Sequence, residues 1–180
     1  MTTTGHKKFN LLLFTIGHSN HSFEDFLKLL KVHGISCLVD VRSVPYNSYH
    51  KTFSKENLLY ELRQQEIDYR WMGDSLGGKR EELTNSAGIR MDDSFYTDYN
   101  YLSGIIDLMR IALKERTAIM CSEEDPRNCH RHKIIAKTLL RRIVPECHKL
   151  NDISVLHIRG DGHTEDAATI TVAVQKALLF

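Results

Sequence analysis

The segment CSEEDPRNCHRH, residues 121–132, brings two thiols, two imidazoles, three carboxylates and two guanidinium groups into one short stretch. Cys121 closes an apolar run, TAIMC (117–121), and so stands at the end of a strand. An acidic loop then leads into a helix whose first turns hold Cys129, His130 and Arg131. His130 and Arg131 lie one turn before Ile134 and Ile135, on the stripe that faces the sheet, which aims them at the edge where Cys121 sits. A thiol beside a helix N-terminus, an imidazole and a guanidinium loses its proton readily and is nucleophilic. Glu123 and Glu124 oppose this, because nearby carboxylates raise a thiol's pKa. They also offer a chemistry of their own, a general base or a group that stabilises a developing oxocarbenium ion. The sequence leaves Cys121 and Glu123 as alternative catalytic groups, with His130 to orient them or carry protons. The plain alternatives are a buried Cys121 and a Glu123 ion-paired with Arg131 or Arg42.

Three further readings concern the same residues. Cys121, Cys129 and His130 form a weak zinc-ligand set with His132 or a glutamate as fourth member, but there is no C-x2-C pair. Cys129 can resolve an oxidised Cys121 in a redox cycle. Cys121 and Arg127 have the bare spacing of a tyrosine-phosphatase loop, yet the intervening SEEDP puts three acids where a phosphate dianion would bind, and Pro126 lacks an N–H.

These groups must be positioned by the elements around them. LLLFTIG (11–17) reads as a buried strand, followed by a helix capped at Ser22 and stopped at Gly34. ISCLVDV (35–41) is a second strand. Ser54 opens the helix SKENLLYELRQQE, and residues 67–72 form a weaker strand. Residues 73–94 carry four glycines and read as a long loop with one turn of helix, the kind of loop that is usually functional. A helical pattern returns over 95–116. After the strand at 117–121, Asp125 and Pro126 start a helix reaching about Val144. ISVLHI (153–158) is a last strand, and the tail 160–180 is ambiguous, alternating at 169–174 and helix-like after it. Strands alternating with helices predict a single-domain α/β fold over residues 1–180, a mostly parallel, doubly wound sheet with helices on both faces.

In such sheets ligands bind beyond the carboxyl ends of the strands. Those ends carry His18 and Ser19, then Asp40, Arg42 and Ser43, then Asp74, then Cys121 to Glu124, and finally His157 and Arg159. Arg42, Arg131 and the hydroxyls of Ser19 and Ser43 suit a phosphate or carboxylate. The expected partner is therefore a small anionic or nucleotide-like substrate of an enzyme. The alternative is a non-catalytic module that reads a ligand or a nucleic acid through the same cleft. No cofactor is specified by the residues.

With 24 Lys+Arg against 23 Asp+Glu over 180 residues, there is no strong field to draw the chain to nucleic acid, though a local basic face is still compatible with it. No apolar run approaches a membrane span and the start lacks a leader's apolar stretch. The four cysteines are too few and scattered for a disulfide scaffold. The expectation is a cytoplasmic protein with reduced thiols and no membrane partner. Composition leaves the oligomeric state open.

TIGHS (15–19), LVDVRSVPYNS (38–48), LGG (76–78), CSEEDPRNCHR (121–131) and VLHI (155–158) together resemble, in order and spacing, the domain of unknown function 488 family over about residues 13–158. The resemblance implies a site at His18, Ser19, Asp40, Arg42, Pro45, Ser48, Cys121, Glu123, Cys129, His130, Arg131 and His157, and assigns it no activity. LVDVR is also similar to a rhodanese segment, but the acidic loop after Cys121 is unlike that family's anion-cradling loop.

Overall fold

The computed structural model describes residues 9–46, 51–78, 84–85, 88–89 and 93–171. Parallel strands β1 (Phe9–Gly17), β2 (Cys37–Asp40) and β3 (Asp68–Trp71) come first in the chain. Thr84–Asn85 (β4) and Gly88–Ile89 (β5) pair as a separate antiparallel hairpin. β6 (Thr117–Cys121) and β7 (Leu150–Ile158) complete the parallel set, and β8 (Thr164–Asp166) runs antiparallel to β7. The six-stranded sheet has the order β3-β2-β6-β1-β7-β8. Helices α1 (Phe23–Val32), α2 (Lys55–Gln64), α3 (Gly73–Leu76), α4 (Tyr99–Ala112) and α5 (Lys137–Leu140) connect the strands, and a π-helical segment, Arg131–Ala136, leads into α5.

Local chemistry explains several of these boundaries. Ser22 caps α1: its hydroxyl oxygen accepts from Asp25 N at 3.1 Å and its proton goes to the Asp25 carboxylate at 2.8 Å. The chain leaves α1 through Gly34 at φ +63°, a left-handed turn that favours glycine. Asp98 caps α4 by accepting from Tyr101 N. β2 and β6 are buried at every position, as expected of central strands covered on both faces.

On one face, Leu11, Leu13, Val39, Ile119 and Val155 pack against Tyr101, Ile105 and Leu108 of α4 and against Ile135 and Leu139. On the other, Phe14, Ile16, Leu38 and Met120 pack against Phe26 and Leu30 of α1 and Leu58 and Leu62 of α2. Each such fully buried side chain contributes about 1.5–3 kcal/mol relative to exposure. The expected α/β sheet with helices on both faces is thus what forms.

The windings also place the site. From β2 the chain moves outward to β3 through α2. From β6 it moves the opposite way, across β1 to β7, through the helix on the other face. The connections leaving adjacent strands β2 and β6 therefore run in opposite directions and leave a crevice beyond the strand ends, the topological switch point of an open α/β sheet.

Some boundaries differ from the sequence reading. The last parallel strand starts at Leu150, three residues early, and β8 adds an edge strand ahead of the stretch whose alternation, at 169–174, suggested extended chain. Residues 167–171 are helical. The segment 73–94 contains α3 and the β4–β5 hairpin. The expected helix to Val144 is broken into a 3-10 turn (Pro126–Asn128), the π-helical segment and α5. Among the described residues, no helix is long and apolar enough to cross a membrane.

Candidate active site at the β2–β6 crevice

β6 ends at Cys121, and the following loop passes over the end of β1. His18 N donates to Cys121 O at 2.9 Å and Ser19 N to Ser122 O at 2.8 Å. This close passage requires Gly17: a Cβ there would stand 1.8 Å from Glu123 O. Ser19 itself sits at φ +44°, uncommon for a residue with a side chain. Arg131 fastens the loop from beneath. Its guanidinium is fully buried and donates from Nη1 to Glu123 O and from Nη2 to Glu124 O, while Nε has no hydrogen-bond partner.

Beside this loop stand two thiols and an imidazole. Cys121 Sγ donates to Glu123 Oε2 at 3.2 Å and lies 3.6 Å from His130 Nδ1; Cys129 Sγ lies 3.8 Å from the same nitrogen. His130 Nε2 is 3.1 Å from Val41 O, and because a carbonyl only accepts, Nε2 carries the proton and Nδ1 turns its lone pair to both sulfurs. Gly78 leaves room for this ring, since a Cβ there would come 2.8 Å from His130 Cγ.

The two thiols titrate as a pair. The adjoining Cys121 sulfur, helped by His130 and the Arg131 charge, outweighs burial and draws Cys129 below the usual thiol range. The adjoining Cys129 sulfur and burial, with Glu123 adding to both, push Cys121 up. Of the pair, Cys121 holds its proton the more firmly, and that proton is directed at Glu123 Oε2. Burial raises the Glu123 carboxyl, but the two neighbouring thiol groups, its own backbone and the nearby His130 bring it below the ordinary value.

β2 supplies the opposite wall. Arg42 forks onto Asp40 through Nε (2.9 Å) and Nη2 (2.6 Å), also donates to Phe53 O, and approaches His18 Nε2 at 3.3 Å. Asp40 further accepts from Arg42 N and from the Tyr69 hydroxyl, and Trp71 Nε1 donates to Arg42 O. His18 stacks on Phe53 with ring centroids 4.6 Å apart. Arg42, Ser43, Val44, Gly78, Cys121, Ser122, Glu123 and His130 enclose a cavity of about 140 Å³.

The structure thus brings Cys121, Glu123, Cys129, His130, Arg42 and Ser43 together, with His18 against Arg42, and gives the other expected residues different roles. Asp40 is wholly buried and holds Arg42. Arg131 braces the loop and does not face the cavity. His157 lies under the π-helical segment, where Nδ1 meets Thr15 Oγ1 at 2.7 Å and Nε2 meets His132 Nδ1 at 3.0 Å. His132 is thereby engaged away from the thiols, which removes it as a fourth zinc ligand. Glu124 pairs with Arg159 at 2.8 Å. Asp74 is exposed and caps Ser75 N. Ser48 falls outside the described residues. What sequence reasoning missed are the contributions of Gly17, Gly78 and the Val41 carbonyl, whose importance rests on close approaches between distant segments.

The model of the domain of unknown function DUF488 matches residues 22–139, well over half of the chain. The chain belongs to the DUF488 family. The matched span contains Asp40, Arg42, Cys121, Glu123, Cys129 and His130, so both walls of the cavity lie within the DUF488 domain, whereas His18 and His157 lie outside it. Comparison with curated proteins and with solved structures finds no match.

Proposed function

We propose that this DUF488 protein is an enzyme, a hydrolase or transferase, acting on a small anionic or nucleotide-like substrate whose reacting end enters the β2–β6 crevice. The observation that supports this reading is the convergence of Glu123, Cys121, His130 and Arg42 on one cavity at the switch point of the sheet. Glu123 is the group that takes the proton from an attacking hydroxyl or water. The Cys121 S–H···Oε2 bond orients that carboxylate. Arg42, fixed by Asp40, sets a positive charge on the facing wall, which favours an anionic substituent. At about 140 Å³ the cavity is smaller than the roughly 300–1,000 Å³ of sites that enclose whole ligands, so the bulk of the substrate lies over the rim.

The test is turnover of a panel of nucleotides, nucleosides and small phosphorylated or carboxylated compounds, followed by mass spectrometry, alongside ligand-induced shifts in melting temperature. Glu123→Gln is expected to lower turnover by about 10²–10⁴-fold, as for loss of a general base, while retaining binding. A ligand bound equally by both forms and converted by neither would make the protein a binding module and end the enzymatic reading.

A further inference from the structure

We propose that Cys121, Cys129 and His130 hold a zinc ion, with the fourth position open to the cavity beside Glu123. The three donor atoms lie within 4.8 Å of one another and all three residues are buried. Zinc bonds of about 2.3 Å to sulfur and about 2.0 Å to nitrogen, at tetrahedral angles, set sulfur–nitrogen edges of roughly 3.5 Å. The two sulfur–nitrogen edges here are 3.6 and 3.8 Å, and the sulfur–sulfur edge lies within 4.8 Å, so the three donors can converge on one ion.

The orientation of His130 supports the same conclusion. A histidine that ligates through one nitrogen characteristically donates its other N–H to a carboxylate, carbonyl or water. His130 gives Nε2–H to Val41 O and turns the Nδ1 lone pair to the sulfurs. A second cluster provides the contrast. Cys37, Asp68 and Glu115 are equally close, but Arg70 occupies both carboxylates, at 2.7 and 2.8 Å. Among the described residues, no lysine or arginine is hydrogen-bonded to a donor atom of the Cys121 cluster.

Charge also balances. On binding, each thiol releases its proton to solvent, the Cys121 S–H···Oε2 bond giving way to the ion's attraction for the nearby Glu123 carboxylate. Two zinc–sulfur bonds form, the neutral imidazole adds a third, and two thiolates cancel the ion's two charges. Glu123 stands next to the open position, 3.2 Å from Cys121 Sγ, and with three protein ligands the site has the form of a catalytic zinc centre. A use of the ion in catalysis rests on the reading of Glu123 as the proton acceptor; its binding does not.

The experiment is metal uptake by the full chain under reducing conditions, without substrate. Elemental analysis after loading with zinc and gel filtration should give one ion per chain. Cobalt titration of the metal-free chain should give the ligand-field bands of a tetrahedral ion together with thiolate-to-cobalt charge transfer. Cys121→Ser and Cys129→Ser should weaken binding by more than about 100-fold, beyond the 10–100-fold typical of losing an outer partner, and Cys147→Ser should leave it unchanged. If either serine variant fails to fold, the cobalt spectrum of the unaltered chain decides. A folded, reduced chain that takes up no cobalt, or takes it up without thiolate charge transfer, overturns the proposal. Zinc bound normally by Glu123→Gln with undiminished turnover would leave the metal site standing and remove only the proposed role of Glu123.

Discussion

Asp40 is wholly buried and accepts from Arg42 N, Nε and Nη2 and from the Tyr69 hydroxyl. Removing it would leave the Arg42 guanidinium, only 6% exposed, without its counter-charge. Breaking one side of a buried pair costs about 3–5 kcal/mol, so Asp40→Ala should lower the urea midpoint sharply. A change below about 1 kcal/mol would show that Arg42 escapes to solvent. At this scale the sequence reveals types and leaves partners hidden. Arg42 and Arg131 look equivalent as anion binders, yet one is forked onto a carboxylate beside the cavity and the other is spent on two backbone carbonyls. The difference comes from the path of residues 122–124 over Gly17, which no local pattern encodes.

Among the elements, the turn after β6 is held in three ways: by the hydrogen bonds to residues 18 and 19, by the absence of a side chain at Gly17, and by Arg131. The backbone carbonyl of Glu123 cannot yield cheaply to a Cβ placed 1.8 Å away. Gly17→Ala should therefore displace the loop and cost several kcal/mol, in the range of severe single substitutions. Denaturation and the loss of metal uptake would be measured together; an unchanged melting temperature would mean that the loop has another low-energy path. The strands and their capped helices were readable because period and caps are local properties. The π-helical segment was not. Cys129, His130, Arg131 and His132 are all buried, a run that a single helical face cannot accommodate. The chain resolves it by widening the turn and wedging the segment between the crevice and the strands beneath.

For the whole molecule, acid stability is tied to His157. Burial first, then His132 and the charges of Arg131, Arg159 and Arg127, push its pKa well below the ordinary value. The unfolded chain, with a histidine pKa near 6.5, binds the proton that the folded chain refuses. Stability is thus fully present above about pH 6.5 and falls as the pH drops below it, by up to about 1.4 kcal/mol per pH unit for this one proton. Urea titrations between pH 7.5 and pH 4.5 should show that decline, and His157→Gln should make it shallower; parallel curves would assign the acid sensitivity elsewhere. The fold class was legible from alternating strands and helices, but the order of the strands was not, since periodicity does not say which strands become neighbours.

That order bears on how the sheet can be built. β6 lies between β1 and β2, and the other neighbour of β1 is β7. Until residue 117 has been synthesised, β1 has no partner strand, and β2 can pair only with β3. A nascent chain of the first 116 residues carries an apolar strand with both edges open, a state prone to aggregation and to capture by chaperones. Insertion of β6 joins the two halves and delivers Cys121 to the crevice in the same event, so the appearance of the site should coincide with closure of the sheet.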